Sequence, residues 1–108
     1  MAANVLFHQG NSTLDQTRKA LVTVAVESVL FAVGDNIHKK ISDLLMNLYD
    51  CEIVDCYKHP EYLNMALSHL EYDIHLKIIE SIRKELGKYS YIKLVSSFLN
   101  ALEKPKIV

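Results

Sequence analysis

The sequence predicts an all-α fold, a compact bundle of about five helices with a mostly buried first helix, and three observations carry that expectation. Three glycines, two prolines and no tryptophan supply too few turn formers for a many-stranded sheet, which needs a turn cluster every ~8–12 residues. The run Lys19-Ala-Leu-Val-Thr-Val-Ala-Val-Glu-Ser-Val-Leu-Phe-Ala-Val33 is apolar on most of its circumference when wound at about 100° per residue. Several later segments place apolar residues three and four apart. A chain of 108 residues makes one domain, burying roughly 65% of its unfolded surface without metal or disulfide staples.

Residues 1–10 show no clear period and read as a flexible arm that docks through Phe7. Ser12 and Asp15 form a capping-box variant that would start the first helix. Val22, Val24 and Val26 alternate as in a strand, but a segment of about 20 residues ending at Gly34 is several times a normal strand length. Its polar stripe, Gln16, Ala20, Thr23, Glu27 and Gly34, is the side expected to reach solvent. Gly34 can close the helix in the left-handed conformation, and Asp35 caps the next. Ile37, Ile41, Leu44, Leu45 and Leu48 give the second helix its apolar face. A short turn of helix is expected over Glu52–Tyr57. His59-Pro60 then marks a boundary, because the residue before proline leaves the α region and proline suits the first helical position. Three helices follow, Pro60–Glu71, Asp73–Leu86 stopped by Gly87, and Ser90–Leu102 ended by Pro105. The domain is thus 11–104, with 105–108 a tail.

A net charge of −1 argues against a general polyanion binder, whose affinity comes mostly from phosphate contacts. Charge is uneven, acidic from Asp43 to Asp73 and basic from Lys77 onward. A DNA-associated regulator using the basic C-terminal third, with Lys84, Lys88 and Lys93 on one face, is the alternative reading. Cys51 and Cys56 are too few for a secreted disulfide scaffold, and no signal segment precedes the domain, so a cytoplasmic protein is expected. Thr23, Glu27 and Ser28 interrupt the apolar run below the ~20 residues that a bilayer demands, so no membrane partner is expected.

The constellations that could carry chemistry are weak. Cys51-x4-Cys56-x2-His59 could offer thiolates and an imidazole to zinc, yet its spacing matches no common zinc pattern, so no metal is expected and two buried thiols are the default. A helix-turn-helix built from 52–57 and 60–71 would present Glu61, Tyr62 and Asn64 to the major groove, where a carboxylate is repelled. Phosphate loop, G-x-S-x-G elbow and H-E-x-x-H pair are all missing, so neither a catalytic residue nor a cofactor is expected. Glu27, midway along the most apolar helix, must reach solvent or meet a cation such as Lys39, Lys40 or Arg83. Tyr57, Tyr62 and Tyr91 carry rings with one polar tip. With Phe7 they are the candidate partner-binding residues.

The run Leu45-x2-Leu48-Tyr49-Asp-Cys-Glu-Ile-Val-Asp55-Cys-Tyr-x-His59-Pro60-Glu61-Tyr-Leu-x2-Ala-Leu67, followed by Ile78-Ile79-Glu-Ser-Ile82-x3-Leu86-Gly87, resembles a small all-helical family of ammonia-oxidising archaea, the Nitrosopumilus-type output domain. The resemblance covers roughly Val26 to Leu102 and implies a module attached to, or working alongside, archaeal signal-transduction proteins, with no known reaction. The residues themselves lead to a non-enzymatic helical protein-interaction module that acts through an apolar face or groove offered to a protein partner. A homodimer is expected, because five apolar helix faces compete for the interior of a small domain.

Overall fold

The computed structural model describes the backbone of residues 2–103 and the side chains of residues 14–103. Five α-helices and one 3-10 turn fill that span, with no strand among the described residues. The alternating valines of the first segment are helical, as its length requires. Helix α1 runs Ala2–Val33, so it passes through Ser12 instead of starting there, and the backbone of 2–10 forms its first turns. Nothing in that stretch stops a helix: it holds no proline, and extending a formed helix is far cheaper than nucleating one. The Phe7 ring and the tail 105–108 lie outside the described residues.

Gly34 joins α1 to α2 (Asp35–Tyr49) by itself. It is not left-handed: φ is 161°, extended backbone open to any residue. Its N–H closes α1 on the Leu30 carbonyl at 3.1 Å, while its own carbonyl accepts the N–H groups of Ile37 and His38 and so opens α2. Asp35 is the first residue of α2 and not a side-chain cap. The left-handed residue is Asp50, at φ 55°, where α2 ends. There the Asp50 N–H reaches the Met46 carbonyl, four residues back, at 2.9 Å, the single-bond close of a left-handed cap, and the Cys51 N–H reaches the Leu45 carbonyl at 3.4 Å.

The 3-10 turn Ile53–Tyr57 is set by its first residues: the Glu52 N–H donates to Asp55 Oδ2 at 2.8 Å. It carries Ile53, Cys56 and Tyr57 into the core. Helix α3 begins at Pro60 as expected but ends at Leu67, short of Glu71. The reason is local: Ser68, His69 and Leu70 bond back three residues, and the Ser68 hydroxyl also donates to the Met65 carbonyl, which tightens the chain and turns Leu70 inward. Helix α4 (Tyr72–Gly87) buries Ile78, Ile82 and Leu86. Helix α5 (Lys93–Glu103) starts three residues later than Ser90, after tight turns over 89–92, and buries Val95, Phe98, Leu99 and Leu102. Helix α1 packs on α2, α4, α5 and the 3-10 turn, and α3 fills the space between that turn, α2 and α5. The Asn64 amide donates to the Leu102 carbonyl at 2.8 Å, satisfying a last-turn acceptor of α5 from α3.

Candidate interaction surface

Helix α1 has two apolar faces on opposite sides. One holds Val22, Ala25, Val26, Val29 and Leu30, all buried against the bundle. The enclosure is therefore one-sided, and the expectation of a mostly buried first helix is corrected. On the other side Val24 is 60% exposed, Leu14 52% and Phe31 50%, with Thr17, Ala20, Ser28 and Ala32 also open and Leu21 half-buried. From Leu14 to Val33 the exposed residues are Leu14, Gln16, Thr17, Ala20, Val24, Ser28, Phe31 and Ala32, and none is charged.

Helix α4 is the internal contrast. Its exposed residues include Asp73, Lys77, Glu80, Arg83, Lys84 and Glu85, the composition of a solvated face. A helix surface whose most exposed residues carry no charge has the make-up of the core of a protein contact, where charged residues are depleted.

The polar stripe read from the sequence lies to one side of this outer face. Gln16 and Ala20 are exposed, whereas Thr23 and Glu27 are half-buried at the flank facing α2. Glu27 meets none of the expected cations: its nearest partner is the His38 ring, whose Nε2 stands 3.5 Å from Glu27 Oε2. The short Gly34 link folds α2 back so that His38 reaches α1. The His38 ring stacks on Phe31 with centroids 3.8 Å apart, which fixes Phe31 at one end of the outer face. Arg83 instead pairs with Glu103, tying α4 to α5.

The tyrosines divide. Tyr57 is 9% exposed and belongs to the core, so it is removed from the partner-binding set. Burial raises its phenol pKa, with Asp15 adding to the effect and Arg18 opposing it. Tyr62 is half-buried between Tyr49, at a centroid distance of 4.0 Å, and His59, at 4.5 Å. Tyr91 is 81% exposed beyond the end of α4 and is open to a partner.

Of the metal candidates, burial, helped by Cys51, Asp55 and Glu61, pushes the Cys56 thiol up to about 12. The Cys51 thiol is raised as well, by burial and by Asp55, Asp50 and Glu52. His59 is engaged with the Tyr62 ring and stands 3.2 Å from Glu61 through Nδ1. Among the described residues no three His, Cys, Asp or Glu side chains converge as donors. The basic residues of α4 do not form a continuous patch: Lys77 and Lys84 share a groove with Glu85, and Glu80 is exposed on the same helix.

The uncharged outer face of α1 is the feature that sequence reasoning missed. Its signal was available as Leu14, Leu21, Val24 and Phe31 at heptad spacing with no charge between them on that side. Among the described residues no helix is long and apolar enough to cross a membrane. Comparison with protein-family models, with curated proteins and with solved structures returns no match.

Proposed function

We propose that this chain is a non-enzymatic helical protein-interaction module whose contact surface is the outer face of α1. The observation that carries the reading is the pair Val24 and Phe31, each at least half exposed on a stretch whose fully exposed residues are uncharged and whose Glu27 carboxylate lies at the flank beside His38, in contrast to the charged outer residues of α4. Within this reading, the family resemblance favours a signal-transduction output role, in which the contact itself carries the signal. The buried, proton-holding thiols and the engaged His59 leave the surface, not a reaction, as the working part.

The test is affinity capture with the full chain as bait, comparing wild type with Val24→Glu and Tyr91→Glu. Both positions are exposed, so neither substitution disturbs the core. Proteins retained by wild type and Tyr91→Glu but reduced at least tenfold by Val24→Glu are the expected result. An identical set with all three baits refutes the reading, and loss with Tyr91→Glu alone moves the contact to the α4–α5 junction.

A further inference from the structure

We infer that the groove where α1, the 3-10 turn, α3 and α5 meet is a binding site for a free amino acid with an apolar side chain. The inference goes beyond the contact surface proposed for α1 and does not rest on it. The groove measures about 410 Å³, within the ~300–1,000 Å³ of small-molecule sites. Its apolar wall comes from Pro60 and from one side of α5, where Leu94, Phe98 and Ala101 follow at steps of four and three. Phe98 is buried, whereas Leu94 is 42% exposed and open to an occupant.

Its polar groups carry both signs. Asp15 of α1 and Lys58 after the 3-10 turn line the groove, and neither belongs to an ion pair among the described residues. Tyr57 lines the same groove, and its hydroxyl is buried with no hydrogen-bond partner among the described residues. Such a group is costly, and most buried polar atoms are satisfied. The hydroxyl lies within electrostatic reach of Asp15, whose charge acts on the phenol. Ser97, three residues after Leu94, adds a second hydroxyl at the rim.

This set selects its occupant by charge. A lone anion would be repelled by Asp15 and a lone cation by Lys58, so a molecule that carries both signs a few bonds apart is preferred to either. The ammonium of an amino acid has three donors, which the Asp15 carboxylate and the Tyr57 oxygen can accept. Its carboxylate accepts from the Lys58 ammonium and the Ser97 hydroxyl. An aliphatic or aromatic side chain then covers Leu94 and removes apolar surface from water.

Calorimetric titration of the full chain at neutral pH with L-leucine and with L-phenylalanine is expected to give a dissociation constant on the order of 0.1 mM for at least one of them. The N-acetyl form of that amino acid, which lacks the ammonium, and its amide, which lacks the carboxylate, each bind about tenfold more weakly or worse. Glycine, without the apolar body, shows a similar loss. Asp15→Asn and Lys58→Gln each weaken the complex about tenfold or more, while Lys40→Gln on α2 leaves it unchanged. Tyr57→Phe keeps the ring and removes only the hydroxyl. It weakens binding about threefold or more without lowering the urea midpoint of the free chain, because no bond within the chain is lost. No heat and no amide chemical-shift change with either amino acid at about 5 mM overturns the inference. So does an N-acetyl or amide form that binds as tightly as the parent, or a complex that Asp15→Asn and Lys58→Gln leave unaltered. Capture of proteins through Val24 is independent of each of these results, so the two readings fail separately.

Discussion

Two valines two residues apart on α1 give a direct test of which side of that helix the bundle covers. Val26 is 1% exposed and Val24 is 60% exposed, so the same deletion of two methyl groups has a different cost at each. For Val26→Ala the transfer loss is about 1.6 kcal/mol at ~0.8 kcal/mol per buried carbon. The residual cavity, on the order of 50 Å³ at ~24 cal/mol per Å³, adds about 1 kcal/mol, for a total near 2.5–3 kcal/mol. Val24→Ala loses the transfer term only for the covered part of its surface, about 0.6 kcal/mol, and leaves no enclosed void. With a urea slope of about 1.2 kcal/mol/M, the midpoints fall by about 2 M and about 0.5 M respectively. Urea titration at about 1 µM keeps the contribution of any association to stability small by mass action. A Val24→Ala midpoint shifted as far as that of Val26→Ala would mean that the outer face is packed within the chain, and the argument for an interaction surface would fail.

Two further outcomes follow from the α2 end and the turn after it. Neither Cys56 nor Cys51 is expected to react with a disulfide reagent at pH 8 in the folded chain, and both should react once it is unfolded in urea. Because burial raises the Cys56 pKa from 9.0 to about 12, the folded state holds its proton longer than the unfolded state. The thiol's contribution is thus intact below about pH 9 and is lost as pH rises towards 12; a Cys56→Ala chain whose alkaline midpoint falls as steeply over that window contradicts this. Asp50, at φ 55°, is replaced by glycine with no loss and up to about 1 kcal/mol of gain, whereas Asp50→Val costs about 1–2 kcal/mol, both read by thermal unfolding.

Helices α2, α4 and α5 are legible from residue spacing because their apolar and charged residues lie on opposite sides. Ile41 and Leu45 sit across from Lys39, Lys40 and Asp43, and Ile78 and Ile82 sit across from Lys77, Glu80 and Lys84, so both sides of each helix can be assigned without tertiary information. The ends are less legible. The α3 stop at Leu67 depends on hydroxyl and backbone bonds around Ser68, and the α2 close depends on Asp50 taking a conformation usually left to glycine. Tyr57 and Tyr91 are the same residue type at 9% and 81% exposure, because the bond from the Glu52 N–H to Asp55 draws one inward and nothing covers the other.

Helix α1 fails for a deeper reason. Its weak polar stripe, Thr23 and Glu27, looks like the solvent side when only composition is weighed, yet the one-residue link at Gly34 brings His38 of α2 against that flank. Once α2 occupies the polar flank and the inner valines meet α4 and the 3-10 turn, the side left open is apolar. Sequence periodicity can establish that such a helix needs cover on two sides. It cannot assign which side is covered from within, because that depends on where the next helix lands. The surplus apolar face, on which the proposed interaction rests, is thus set by the shortness of a single connection.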